Sequence, residues 1–549
     1  MRWRDGASRL VARAAAVAET RTGTIAVFVA ALVVWWVQAL VSPLGPGRDL
    51  GTYLGAYVQL LQSNPIDLGY VLGRTPIAPV VVGGLLDVAG GRLAEPVTSL
   101  LYAASIVAWF LAARRFGGRA ALALTIVLLV YPGYGILFHE LSSDAVFAAA
   151  FAGWSLLAVR VCLSPTVVGF AVLGTGVGVL ALIRPGNQAL LVLALVPLVV
   201  ALPWRDRLVS VAAFVLPVVV LLGAWVVHNG LVWGDYTVAR NGNATVPFFR
   251  AFTVDHIVRP DNGPASRELA QAVQRDLLPK QPYKAYGIDL DRFFSEGSPR
   301  MQEDLVALSN RLWGWHSDSR KLRQVGMEAV WTHPVTYARG VAGTTFDLLR
   351  LPLYRDLPSG GGGGRGGSAS SGGGEGPTIV VDGRRLPKPT KGDVIPAAHE
   401  GGVTTPDNSI YTVWTSDTEH HLVFVHPGAE ARYVALHRRM DELQDNLPHR
   451  AGSPTLALRF NQLSHWFPPP LLWLVVGVVA LVVRRPRGVL ALVVPTVAGL
   501  VLVLLSAAGL PAEPAYTVPV VPAFVLLAAA GLFAPRDGTS GVSAARSTR

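Results

Sequence analysis

Four short polar stretches interrupt an otherwise apolar chain, and each holds side chains able to accept a proton or bind an anion. The first is Gly45-Pro46-Gly47-Arg48-Asp49-Leu50-Gly51-Thr52-Tyr53. It follows an apolar run, Thr24–Val41, that Pro43 and Pro46 close, so Asp49 lies at the edge of a nonpolar phase, where ionisable residues mark functional sites by default. Asp49 is a candidate general base. The same position would suit the N-cap of a short helix over Leu50–Gln62, and the stretch alone leaves both readings open. The second is Leu72-Gly73-Arg74-Thr75-Pro76, whose guanidinium suits bidentate contact with phosphate or simply reaches from the interface into water.

The third stretch, His139-Glu140-Leu141-Ser142-Ser143-Asp144, carries a good helix start in Ser142, Ser143 or Asp144. One cap does not require both Glu140 and Asp144, and His139 adds a titratable or metal-binding group. These acids could orient an acceptor hydroxyl or, with Asp49, hold a hard divalent cation through oxygen ligands. The fourth is Ile183-Arg184-Pro185-Gly186-Asn187, where Arg184 precedes a helix-breaking proline. It reads either as a cation held beside a polar cavity or as an interfacial turn. Together the four supply a base and several cations, the set needed when a hydroxyl displaces a phosphate leaving group.

The elements that position these groups are membrane spans. The chain has 549 residues, of which 51% are hydrophobic and 15% charged, with a mean hydropathy of +0.42. Soluble domains carry about a quarter charged residues, so the composition describes a polytopic membrane protein. Spans of about twenty residues are expected at Thr24–Val41, Leu93–Ala113, Ala120–Leu137, Ala145–Val161, Val167–Ile183, Ala189–Pro203, Leu208–Val227, Pro470–Val483, Val489–Ala507 and Ala515–Phe533. The net charge of +11 is concentrated in alternate loops, at Arg2–Arg21, Arg114–Arg119, Arg160, Arg205–Arg207 and Arg484–Arg487. Arginine-rich loops face the cytoplasm, which puts both termini inside and all four polar stretches outside. No basic patch with interleaved aromatics favours nucleic acid. The single cysteine, Cys162, excludes an intrachain disulfide and a cysteine-type zinc site.

The expected organisation is a cytoplasmic N-terminus (1–22), a transmembrane core with seven spans (23–233) and an outer loop at 43–92 carrying the first two polar stretches. An extracytoplasmic α/β domain (234–466) follows, then spans eight to ten (467–534) and a disordered tail (535–549). Pro76–Val88 is apolar, but counting it as a span would invert every later loop, so it reads as a short surface or re-entrant helix. In the outer domain the Gly/Ser-rich segment 359–376 separates a helical part, with helices near Ser266–Leu278 and Gln302–Leu312, from a second part, 377–448. That second part carries strand-like runs at Thr378–Val381, before an Asp382-Gly383 turn, and at His421–Val425, with a helix over Ala429–Leu447.

The order of these motifs resembles the GT-C glycosyltransferases, among them the lipid A aminoarabinose transferase, protein O-mannosyltransferases and cell-wall arabinofuranosyltransferases. In that superfamily an acidic residue in the first outer loop precedes a short Tyr-containing helix, here Asp49 and Tyr53. A basic residue and prolines precede an apolar hairpin, here Arg74-Thr75-Pro76. An acid opens the fourth span, here Glu140 or Asp144, and an Arg-Pro follows a leucine-rich span, here Arg184-Pro185. His333-Pro334-Val335-Thr336-Tyr337-Ala338-Arg339 resembles the surface helix that leads back to the membrane. Glu513-Pro514-Ala515-Tyr516-Thr517-Val518-Pro519-Val520-Val521-Pro522 resembles an Arg-Tyr-x-x-Pro-x-x-Pro segment, with Ala515 where Arg is common.

The resemblance implies an inverting transferase acting at the extracytoplasmic face of the plasma membrane on a polyprenyl-phosphate sugar. Asp49 would be its base, and Arg48, Arg74 and Arg184 its phosphate-binding cations. Glu140, Asp144 and His139 would be a second acid or acceptor group, and Tyr53 and Tyr516 would line the substrate. A cell-envelope glycan, lipid or protein would accept the sugar, and no cofactor beyond a divalent cation is suggested. Two other classes fit the same polar groups: a lipid or glycan transporter, and a non-catalytic cell-wall assembly protein. A transporter predicts inverted repeats and helices broken near the midplane, whereas here the charges cluster at one face and no repeat is visible.

Overall fold

The computed structural model describes residues 12–62, 64–240, 245–280, 283–284, 286–353, 378–381, 384–387, 410–414, 420–448, 454–510 and 513–534. The Gly/Ser-rich segment 359–376, the Asp382-Gly383 turn and the tail 535–549 lie outside them. The chain is a polytopic helical membrane protein. Among the described residues, seven helices are long and apolar enough to cross a membrane: Arg21–Ala39, Ala94–Arg114, Ser143–Leu163, Trp204–Trp233, Arg459–Arg484, Val489–Gly509 and Pro514–Phe533.

The other three expected spans are shorter apolar helices. Ala120–Leu137 is divided into Gly118–Val130 and Pro132–Leu137. Pro132 disfavours the helical conformation at the residue before it, and Tyr131 is extended, with ψ 103°. Val167–Ile183 forms as expected, and Pro185–Leu198 is a tight 3₁₀-type helix started by Pro185. The apolar run beginning at Pro76 gives an 11-residue helix, Ile77–Asp87, too short to span at 1.5 Å per residue.

Small residues set the closest helix contacts. A Cβ at Gly174 would lie 2.0 Å from the Phe214 carbonyl, so helices 167–183 and 204–233 meet backbone to backbone, as membrane helices without a hydrophobic driving force often do. Helix 521–533 is buried along Val521–Gly531 at the centre of the bundle. The arginine-rich loops share one end. There Arg114 donates to Thr24 Oγ1 at 3.0 Å, Arg484 to the Leu532 carbonyl, and Gly488 sits against Leu163. Ala39, Ala94, Ser143 and Pro514 mark the opposite ends of their helices, and the polar stretches lie there.

Residues 248–332 form a helical unit with its own core, centred on Phe248, Phe252, Leu269, Phe293, Leu305 and Leu322. Its helices include Pro264–Ala272, continued by a wide turn over Val273–Leu277, and Pro299–Trp313. Fully buried Arg250 fixes the unit to the bundle by donating to the Ala507 carbonyl at 2.6 Å and pairing with Asp255 at 2.8 Å. The helix Pro334–Arg350, expected to lead back to the membrane, is tied to the same place by Tyr337, which donates to the Ala508 carbonyl at 2.7 Å. Thr378–Val381 pairs antiparallel with Arg384–Pro387, and His420–Phe424 with Ile410–Trp414. The helix Ala429–Asp445 packs against the helices Leu50–Gln59 and Ile77–Asp87.

Candidate active site

Two loops are joined by a short parallel ladder between β1 (Gly45–Pro46) and β2 (Glu140–Leu141). Gly45 N–H donates to the His139 carbonyl at 3.0 Å and Gly47 N–H to the Leu141 carbonyl at 3.3 Å. Gly47 permits this approach, since a Cβ there would lie 2.6 Å from Ser142 Cβ. The ladder sets Arg48 and Asp49 beside the start of helix 143–163.

Asp49 stands at the N-cap position of helix Leu50–Gln59, but its side chain makes no capping bond. Its backbone is left-handed, with φ 62°, a conformation uncommon for a residue with a Cβ. The capping alternative therefore fails for this residue. The carboxylate turns instead to Arg74, 2.9 Å away, and both side chains remain partly exposed. The Arg74 guanidinium also lies 5.4 Å from the Tyr53 ring centre, and its Nε has no hydrogen-bond partner.

Tyr53 continues the chain of contacts inward. Its hydroxyl donates to Ser143 Oγ at 2.7 Å, and Arg184 Nε donates to the same oxygen at 3.0 Å. Arg184 also binds the buried Asp144 carboxylate. Here the cap is Ser142, whose hydroxyl accepts from Asp144 N–H at 3.1 Å, so the Asp144 carboxylate remains for the guanidinium. Arg48 completes the network. It lies 3.9 Å from Asp144, pairs with Glu513, and stacks 4.6 Å from the Tyr516 ring centre.

The structure thus gathers Arg48, Asp49, Tyr53, Arg74, Asp144, Arg184 and Tyr516 into one network from five segments distant in sequence. His139 and Glu140 are buried behind it. His139 stacks on Trp35 at 4.5 Å, and burial holds its imidazole well below the ordinary value. Neither ring nitrogen has a hydrogen-bond partner. Among the described residues no group of three or more His, Cys, Asp or Glu side chains is placed to hold a metal ion. Two of the three carboxylates considered for a divalent cation, Asp49 and Asp144, are engaged by arginines instead.

Two members were given no role from sequence. Ser143 looked like a helix-start residue, yet it receives both Tyr53 and Arg184. Glu513 was visible only as the residue before Pro514, and its pairing with Arg48 spans most of the chain. That pairing also sets a guanidinium beside the 513–516 segment, although residue 515 is Ala.

The class defined by these features is a multi-spanning helical membrane protein with a guanidinium–carboxylate network at one end of its bundle. No protein-family profile and no curated protein matches the chain. Among solved structures it is similar to ArnT from Cupriavidus metallidurans, crystallised bound to undecaprenyl phosphate, with 18% sequence identity and a TM-score of 0.30. The match covers 60% of this chain and 66% of that one, just under two thirds of its length.

Proposed function

We propose that the chain is an inverting membrane glycosyltransferase, which moves a sugar from a polyprenyl-phosphate donor to a hydroxyl of a cell-envelope glycan, lipid or protein. The observation that carries this reading is the Asp49–Arg74 pair: an accessible, uncapped carboxylate in a left-handed backbone, 2.9 Å from a guanidinium. Left-handed backbone at non-glycine residues costs energy and gathers at functional sites. A phosphate entering the network competes for Arg74, which leaves the Asp49 carboxylate for the acceptor.

In the reaction the acceptor hydroxyl gives its proton to Asp49 while its oxygen bonds to the anomeric carbon. The bond from that carbon to the phosphate oxygen breaks, and polyprenyl phosphate leaves with the electron pair. One displacement inverts the anomeric centre. Arg74, Arg184 and Arg48 stabilise the charge that grows on the phosphate, which is the interaction that lowers the barrier. Tyr53 and Tyr516 line the sugar. Because the network lies at the end opposite the arginine-rich loops, the positive-inside rule assigns it to the extracytoplasmic face. We place the unit 234–466 on that side, where an envelope acceptor is met.

The purified chain in lipid nanodiscs is tested with polyprenyl-phosphate pentoses and hexoses and an envelope glycan extract. Release of polyprenyl phosphate coupled to acceptor labelling is expected from at least one donor. If every donor is bound but none is cleaved, the transferase reading is overturned in favour of a carrier.

A further inference from the structure

Asp87 lies far from the reacting groups, yet it joins three helices at one point. Tyr57, on helix 50–59, donates to its Oδ2 at 2.9 Å, and Arg439, on helix 429–445, donates to its Oδ1 at 2.5 Å. Asp87 itself is the last residue of helix 77–87. Helices 50–59 and 77–87 run side by side. The first begins just after Asp49 and the second just after Arg74, while Tyr57 and Asp87 tie their far ends together. A helix of about ten residues is about 15 Å long, so the tie acts on the Asp49–Arg74 pair through two rigid rods.

The contact is built closely. A Cβ at Gly83 would lie 2.2 Å from the Tyr57 ring, so that ring packs directly on the backbone of the second rod. Beyond Asp87 the chain turns through Ala89, Gly90 and Gly91, all at positive φ. Gly91 leaves no room for a Cβ, which would fall 1.9 Å from the Asn446 carbonyl. Asn446 in turn donates to the Leu86 carbonyl at 3.0 Å, and Arg432 to the Asn64 carbonyl at 2.6 Å. Helix 429–445 thus grips the outer loop at residue 64 and at residues 86–91, with buried Leu436, Met440 and Leu443 against the bundle core between them.

We propose that helix 429–445 is an in-chain brace for the catalytic loop, and that Asp87 and Arg439 are positioning residues which set the register of Asp49 against Arg74. The catalytic role of that pair rests on the proposed transferase reading. The brace itself does not. It explains what the inserted 377–448 part contributes, since a segment far along the chain closes over the first outer loop and fixes its two reactive ends. Arg439 is solvent-accessible on its own helix, so replacing it leaves the bundle core untouched.

The test compares full-length Arg439→Gln and Arg439→Lys in nanodiscs by hydrogen exchange and by sugar transfer. Arg439→Gln is expected to speed amide exchange over residues 50–59 and 77–87, with helix 94–114 unchanged, and Arg439→Lys to restore slow exchange. In transfer, Arg439→Gln is expected to lower kcat on the order of tenfold, because small misplacements of reacting groups are costly, with donor KM little changed. Wild-type exchange over 50–87 in Arg439→Gln would overturn the brace. If the exchange pattern appears but the wild-type chain transfers no sugar, the brace stands and the transferase reading falls.

Discussion

At the scale of single residues, the site is a set of guanidinium–carboxylate pairings whose members had other roles open to them. Asp49 stands where a helix cap belongs and does not cap, whereas Ser142 caps and releases Asp144 to Arg184. Asp67 shows the opposite choice. It caps helix 68–73 by accepting from Gly69 N–H at 2.8 Å, and its burial pushes the carboxyl from 3.8 up to about 6. The folded state therefore keeps a proton up to about pH 6 that the unfolded chain gives up near 3.8. By linkage, the stability this contributes is complete below 3.8 and is lost as pH rises through about 6. Asp67→Asn keeps a capping oxygen and has no proton to lose. Thermal unfolding between about pH 4 and 7 should show the wild type falling relative to the variant, and parallel curves would contradict the assignment.

At the scale of elements, seven of the ten expected spans were legible, because a long apolar run is a strong signal. The division of Ala120–Leu137 at Pro132 was written in the proline and read through. The four polar stretches were legible one by one, and their shared location followed from alternation of the spans. Which partner each side chain takes was not, because Arg48–Glu513 and Arg184–Asp144 depend on helix packing that no local pattern encodes. The β1–β2 ladder was also invisible: two residues on each side carry no periodicity. That ladder gives a paired test. Gly47→Ala drives a Cβ into Ser142 and should cost transfer on the order of a hundredfold, while Gly51→Ala meets nothing within 4 Å and should be tolerated. Circular dichroism should show equal helix content in both, and equal activity in the two variants would contradict the ladder's role.

At the scale of the whole molecule, the bundle has a basic end and an opposite end that carries the guanidinium–carboxylate network. Arg114 and Arg484 close helix ends on one side, while Asp49, Asp144, Arg184 and Glu513 meet on the other. The helical unit 248–332 and helix 429–445 attach on the same end as that network, through Arg250 and Arg439. Gln274 and Arg205 are exposed reporters for the two sides. In intact cells a membrane-impermeant maleimide should label Gln274→Cys and spare Arg205→Cys. The reverse pattern would turn the molecule over and place the site in the cytoplasm.

The central claim concerns one proton, and Asp49→Asn tests it while keeping the size of the side chain. With a donor that the wild type uses, the variant should bind the donor, unfold at a similar temperature and transfer sugar at least about a hundredfold more slowly, the scale of general-base catalysis. Transfer at the wild-type rate by a folded Asp49→Asn protein would contradict the account.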